Sequence, residues 1–148
     1  FVEPSSVTEA EVRGVSLDEL YAESDFVSLH VPATEETTNM VDARVLAAMK
    51  PSAFLINTAR GALVDEAALA AALQSGEIAG AGLDVFATEP AIDSPLIGMV
   101  NVVASPHLAG NTKETMEITG EMAVDNALAV IAGNWPNEVV VNGVYSGK

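Results

Sequence analysis

Apolar runs start near residues 26, 53 and 80, a step of 27 each time, and this spacing limits the fold more than any other feature of the chain. It is about the length of one strand-plus-helix unit. The runs are Phe26–Leu29, Ala53–Ile56 and Ala81–Phe86, and a fourth follows at Asn101–Ala104. All four are rich in β-branched or aromatic residues and none alternates cleanly with polar ones. They are therefore expected to be strands buried on both faces. Helical segments fill most of the gaps. Ser16 with Glu19 three residues on has the form of a capping box. Asp42 opens a second helix that stops near Lys50, ahead of Pro51, and Asp65 opens a third that ends around Gly76. Asn111 with Glu114 is expected to cap a fourth, longer helix running to about Gly133. Its apolar residues Met116, Ala123, Val124, Ala127, Leu128 and Ile131 keep helical spacing. Strands alternating with helices in this way predict an α/β fold with a mostly parallel sheet and flanking helices. Residues 87–99, with Pro90 and Pro95, read as loop. The Val139–Val141 run reads as an edge strand or an extended arm, and no second-domain boundary is visible.

Composition narrows the class further. The 148 residues suffice for one domain with a sizeable core, and 49% are hydrophobic, which argues against disorder. No apolar run approaches the roughly 18 residues of a membrane span, so no membrane partner is expected. The net charge is −15 with only six Lys and Arg, which argues against a nucleic-acid partner because phosphate binding needs basic clusters. The acidity itself reads as a solvated surface. There are no cysteines, which excludes disulfides and thiolate metal sites and fits a reducing, cytoplasmic setting; no metal site is expected. The chain starts at Phe1 with no basic or apolar leader, so a fragment or processed piece is expected.

In open parallel sheets, ligands bind outside the carboxyl ends of the strands. The reactive residues gather at that edge. His30 directly follows the first strand, and His107 stands three residues after the last. Asn57 and Arg60 follow the second. Asp84 lies late in the third, and Glu89 lies just past it. Each has a plain structural alternative: a turn histidine, a surface arginine before a helix, an ordinary loop carboxylate. Asp84 resists that treatment, because a carboxylate inside an apolar run must find partners or bear a desolvation cost. The chemistry that would use such a set is reduction of a 2-keto acid. An arginine fork would bind the carboxylate, a histidine would give a proton to the carbonyl oxygen, and a carboxylate would support the imidazolium.

The segments SDFVSLHVPATEETTNMV at 24–41, MKPSAFLINTARGALVDEAAL at 49–69, GAGLDVFATEP at 80–90 and NVVASPHLAGNT at 101–112 carry a specific resemblance. In this order they resemble the D-isomer-specific 2-hydroxyacid dehydrogenases, the group that includes phosphoglycerate, glycerate and D-lactate dehydrogenases, from about Ser16 to Asn142. The resemblance implies a Rossmann-like dinucleotide-binding domain and hydride transfer between NAD, with NADP also open, and a 2-hydroxy or 2-keto acid. It also implies a homodimer. It assigns Arg60 to the substrate carboxylate and carbonyl, His107 to acid–base catalysis and Glu89 to the histidine's partner. Asp84 matches the aspartate at the nicotinamide carboxamide. Thr58 and Gly110 match positions beside the nicotinamide ring, and Val31 and Pro32 match a loop on the adenosine side. His30 resembles a structural residue of the family.

One family feature is absent. No glycine-rich GxGxxG loop joins a strand to a helix. Gly80-Ala81-Gly82 has Val85 where a third glycine would stand, and these glycines read as close-packing positions. Residues 1–148 are accordingly expected to be a partial dinucleotide-binding domain, without the N-terminal half of the fold and with poor cofactor binding on their own. Two readings stay open: part of a working dehydrogenase, or a non-catalytic Rossmann-like fragment or interaction module. A corepressor of the same fold is a more distant variant of the second.

Overall fold

Helix starts in this chain are set by side chains that take up backbone N–H groups with no partner inside the helix. The computed structural model describes residues 13–134. Helix α1 (Leu17–Glu23) begins where the Ser16 hydroxyl accepts from the Glu19 N–H at 3.2 Å. Helix α2 (Ala43–Ala48) begins where the Asp42 carboxylate accepts from Val45 N–H at 2.9 Å. Helix α3 (Glu66–Ser75) has Asp65 in the same role toward Ala68 at 3.0 Å, and it ends at Gly76 in the left-handed conformation, φ +76°. The fourth helix, α4 (Lys113–Ile131), departs from expectation. Its cap is Thr112, whose hydroxyl accepts from Thr115 N–H at 3.1 Å, and not Asn111. Thr112 has the extended backbone a cap requires, and Asn111 is one residue too far out.

The strands are β1 (Phe26–Leu29), β2 (Phe54–Asn57), β3 (Gly80–Leu83) and β4 (Val102–Ala104), in the order β1-β2-β3-β4, with every neighbouring pair parallel. The third strand is shorter than its apolar run, so Asp84 stands just past its end. Register places Val27, Leu55 and Ala81 in one row and Leu29, Asn57 and Leu83 in the next. These rows form the buried face, and α1, α2 and α3 contribute Tyr21, Val45, Leu46, Leu69 and Leu73 to the same hydrophobic cluster.

The expectation of strands buried on both faces holds for β3, where Gly80, Ala81 and Leu83 are buried and Gly82 is half-buried, and fails for β1, β2 and β4. Burial alternates along β1 and β2, and the opposite face presents Phe26 and Phe54, 67% and 40% exposed, stacked with ring centroids 5.5 Å apart. The three helices cover one face, so the aromatic side chains on the other are left to pack on each other. By contact the chain divides into two compact units, Phe1–Ala109 and Gly110–Lys148. The sheet and α1–α3 belong to the first and α4 to the second. The Val139–Val141 run lies outside the described residues. No described helix is long and apolar enough to cross a membrane.

The two strand glycines differ in kind. A Cβ on Gly80 would stand 2.8 Å from the Asn101 carbonyl oxygen and 2.9 Å from the Phe54 ring, whereas one on Gly82 would meet only Ile56, at 3.8 Å. Close packing therefore requires glycine at position 80 alone. Gly80→Ala is expected to cost about 1–3 kcal/mol of stability, the usual range for overpacking, and Gly82→Ala distinctly less. Urea denaturation of both variants checks the contrast.

Candidate active site

Parallel strands leave their carboxyl ends along one rim, and the rim of this sheet is organised by two buried polar residues, Asn57 and Asp84. Asn57 ends β2. Its amide donates to the Arg60 carbonyl at 2.9 Å, and its side-chain oxygen accepts from Ala59 N–H at 3.0 Å. This closes the turn that carries Thr58 and Arg60. The Asn57 carbonyl in turn accepts from Asp84 N–H at 3.0 Å, which joins the two turns.

Asp84 is the hub of the site. Its Oδ1 accepts from the Ser105 hydroxyl at 2.6 Å and Leu108 N–H at 2.7 Å, and its Oδ2 accepts from Ala109 N–H at 2.8 Å. Its main-chain carbonyl accepts from His107 N–H at 2.8 Å. Burial alone would push this carboxyl up. The hydrogen bonds from Ser105, Ala109 and Leu108, with the nearby His107, outweigh burial and hold it below the usual carboxylate range. The work these bonds do is visible in the backbone. His107 lies in the left-handed region at φ +56°, which non-glycine residues seldom adopt. Bonds to Asp84 at residues 105, 107, 108 and 109 hold it there.

That turn delivers the imidazole to Glu89. His107 Nδ1 lies 2.9 Å from Glu89 Oε2, and Glu89 Oε1 accepts from Phe86 N–H at 3.0 Å. The hydrogen bond from His107, then that from Phe86, lowers the Glu89 carboxyl below its ordinary value, so it is ionised at neutral pH and can only accept. The hydrogen therefore sits on Nδ1 of the imidazole, and Nε2 is the position left to exchange a proton with a substrate. A cavity of about 610 Å³ opens beside the pair, with Phe86, Ile92, Ile97 and Pro106 in its wall. Its volume suits a small ligand.

Arg60 approaches from the neighbouring turn. Gly61 packs so tightly on the Phe86–Ala87 peptide that a Cβ there would stand 1.9 Å from the Phe86 carbonyl carbon. The arginine turn and the Glu89 loop are thus in direct backbone contact. Arg60 is exposed, and its Nη1 donates only to the adjacent Ala59 carbonyl, at 2.6 Å. Among the described residues Arg13, Arg44, Lys50 and Lys113 each pair with a carboxylate, and Arg60 does not. A guanidinium without a carboxylate partner, on a turn packed against the Glu89 loop, can accept an anion.

The remaining sequence candidates fall as follows. Thr58 is exposed at the end of β2, and Val31 and Pro32 follow β1, with Val31 packed against the core. His30 contacts the Ser28 hydroxyl at 2.8 Å, which suits a structural residue. Gly110 opens the second unit. Asn57 and Ser105 carry positioning roles that their residue types did not announce. The one signal was a polar residue at the end of an apolar run. Among the described residues, no three His, Asp or Glu side chains are grouped to hold a metal ion.

A parallel α/β unit with an acid–base pair and a guanidinium at its strand tips is a frame for acid–base chemistry on an anionic ligand, and comparison with known proteins narrows this. Residues 2–109 match the family described as D-isomer specific 2-hydroxyacid dehydrogenase, NAD binding domain. The chain belongs to that family. It is similar to D-3-phosphoglycerate dehydrogenase of Mycobacterium tuberculosis, 43% identical over 144 residues, which are 97% of this chain and 27% of the relative. Glyoxylate reductase of Thermococcus litoralis is 45% identical over 145 residues, covering 98% of this chain and 44% of that protein. Among solved structures, the NAD-complexed D-isomer specific 2-hydroxyacid dehydrogenase of Lactobacillus delbrueckii superposes with a TM-score of 0.78 at 39% identity, over 85% of this chain and 43% of that one. The chain thus spans less than half the length of these relatives.

The residues present fit the nicotinamide end of the cofactor. Among the described residues Asp84 Oδ2 accepts one hydrogen bond, from Ala109 N–H, which leaves a lone pair for a further donor such as a carboxamide N–H. The pyrophosphate end has no glycine-rich cradle in this sequence.

The Asp84 network has a signed pH dependence. Its carboxyl is lower in the folded chain than in the unfolded one, so its stabilisation is complete above the unfolded value of about 3.9 and is lost as pH falls through the folded value. Asp84→Asn turns an amide N–H toward the donors it must accept from and is expected to cost about 1–3 kcal/mol at neutral pH. That deficit should begin to shrink as pH falls below about 3.9, where wild type starts to lose the same contribution. Urea denaturation at pH 7 and pH 3 measures both.

Proposed function

We propose that this chain is the nicotinamide-side part of a dehydrogenase that interconverts 2-keto acids and D-2-hydroxy acids. The observation that carries the reading is the Glu89–His107 pair at 2.9 Å, with the unpaired Arg60 on a turn packed against the same loop. When bound, NAD(H) supplies the hydride. The residues of this chain supply the rest. Arg60 binds the substrate carboxylate through its planar fork and orients the neighbouring carbonyl. His107 gives a proton from Nε2 to the carbonyl oxygen during reduction and takes it back during oxidation. Glu89 fixes the tautomer through Nδ1 and supports the positive charge when both ring nitrogens are protonated. Asp84, Thr58 and Gly110 would hold the nicotinamide, and Val31 and Pro32 would line the adenosine side.

The non-catalytic reading explains the missing glycine loop but gives no reason for a histidine held at φ +56° against an ionised glutamate. We further propose that the protein acts as a homodimer, as the family resemblance implies, and that it works in the cytoplasm, which a chain without cysteine fits. Phosphoglycerate, glycerate and lactate-like acids all satisfy the chemistry of Arg60 and His107.

In the full-length protein, His107→Ala is expected to lower kcat for keto-acid reduction by about 10²–10⁴-fold, the usual worth of general acid–base help. Arg60→Ala should act mainly on kcat/KM for the acid. Unchanged steady-state rates in both variants would end the assignment. Glu89→Gln tests the pair separately: its side-chain oxygen can still accept from Nδ1–H but the negative partner of the imidazolium is gone, so kcat for reduction should fall, and a wild-type rate would count against the pairing.

A further inference from the structure

The far half of the loop that carries Glu89 is held by turns at 91–94, 94–97 and 96–99 and by the buried Leu96, but these anchors all follow Glu89. Residues 87–99 form no helix or strand, and Glu89 is exposed. The grip on both sides of Glu89 comes from α3. Glu66, in the first turn of α3, accepts from Ala87 N–H at 2.5 Å through one oxygen and from the Ser94 hydroxyl at 2.7 Å through the other. The two donors bracket Glu89 in sequence. The preceding N–H, of Phe86, goes to Glu89 itself. Two successive backbone N–H groups are therefore divided between two carboxylates, one fixed to a helix and one facing His107. Gly61 lies against the same Phe86–Ala87 peptide, on the turn that carries Arg60.

We propose that Glu66 is a positioning residue of the active site, and that its carboxylate anchors the 87–94 loop to α3 and so keeps Glu89 in contact with His107. This rests on the reading of the pair given above. Glu66 touches neither substrate nor the reacting atoms. It works by removing freedom from the loop. Without it, Ala87 N–H and the Ser94 hydroxyl turn to water, the loop gains conformations, and Glu89 Oε2 leaves the imidazole for part of the time. A loss of alignment of about 1 Å at a catalytic group can cost on the order of 10²-fold in rate. Glutamine has an oxygen that can accept from Ala87 N–H and an amide that can donate to the Ser94 hydroxyl, so it preserves both bonds without the charge. Alanine preserves neither.

The test uses the full-length protein with Glu66→Ala and Glu66→Gln, assayed for keto-acid reduction. Glu66→Ala should lower kcat by about tenfold or more, with KM for the acid little changed because Arg60 is intact; Glu66→Gln should restore most of the loss. A second readout does not depend on turnover. Nitrogen-15 NMR of the His107 ring, assigned by its loss in His107→Gln, reports which nitrogen carries the hydrogen. Wild type should show the Nδ1–H form, and Glu66→Ala should show a growing share of Nε2–H. Should Glu66→Ala not fold, Ser94→Ala removes one of the two anchors and is expected to give the same changes in smaller measure. A folded Glu66→Ala with wild-type kcat and an unchanged ring spectrum would overturn the proposal. If His107→Ala remains active, the reading of the site fails instead, and the ring spectrum still decides whether Glu66 holds the pair.

Discussion

A buried carboxylate accepting hydrogen bonds from an adjoining turn is the constraint on which the rest of this site depends. Asp84 follows β3 directly, and its side chain and carbonyl together bind residues 105, 107, 108 and 109 beyond β4. Parallel neighbours make this possible, because both strands end at the same rim. The bonds compensate the desolvation of the charge, and they also fix a backbone conformation that histidine would not choose. Without that conformation the imidazole would not meet Glu89. The placement of the imidazole thus traces back to one aspartate.

The site has a layered construction. Asn57 shapes the arginine turn, Asp84 shapes the histidine turn, and Glu66 restrains the glutamate loop. The three turns also touch through the backbone, at Asn57 with Asp84 and at Gly61 with the Phe86–Ala87 peptide. Each reactive side chain is itself exposed, while Asn57 and Asp84 behind them are buried and Glu66 is half-buried. Exposed groups can meet a ligand, and buried ones can hold geometry because water does not compete for their bonds.

Much of this was legible in the sequence. The 27-residue step gave the parallel order, and Ser16, Asp42, Asp65 and Gly76 marked helix ends because caps are local chemistry. The rim position of Arg60, Glu89 and His107 followed from strand ends alone. What escaped was whatever depends on several elements at once. The two-faced burial expected of β1 failed because an apolar run such as Phe26–Leu29 does not say which helices will cover it. The roles of Ser105 and Glu66 depend on pairings across 21 residues each, to Asp84 and Ala87, which no local pattern encodes. Gly80 and Gly82 look alike in sequence, and only the approach of Asn101 and Phe54 separates them.

The acidity of the chain adds a condition on how the site can work. A net charge of −15 on these residues would repel an anionic ligand at long range and so gives Arg60 no steering of one. Under physiological salt that repulsion is screened beyond about 8 Å, and within that distance the local arrangement decides. There the chain has done two things. It has paired the other described cations with carboxylates and left Arg60 without one, and it has turned the negative charge of Glu89 toward His107. On the function proposed above, recognition of an acid at Arg60 would therefore be a contact event, made by a bidentate fork at short range, because an arginine–carboxylate contact is geometric as well as electrostatic.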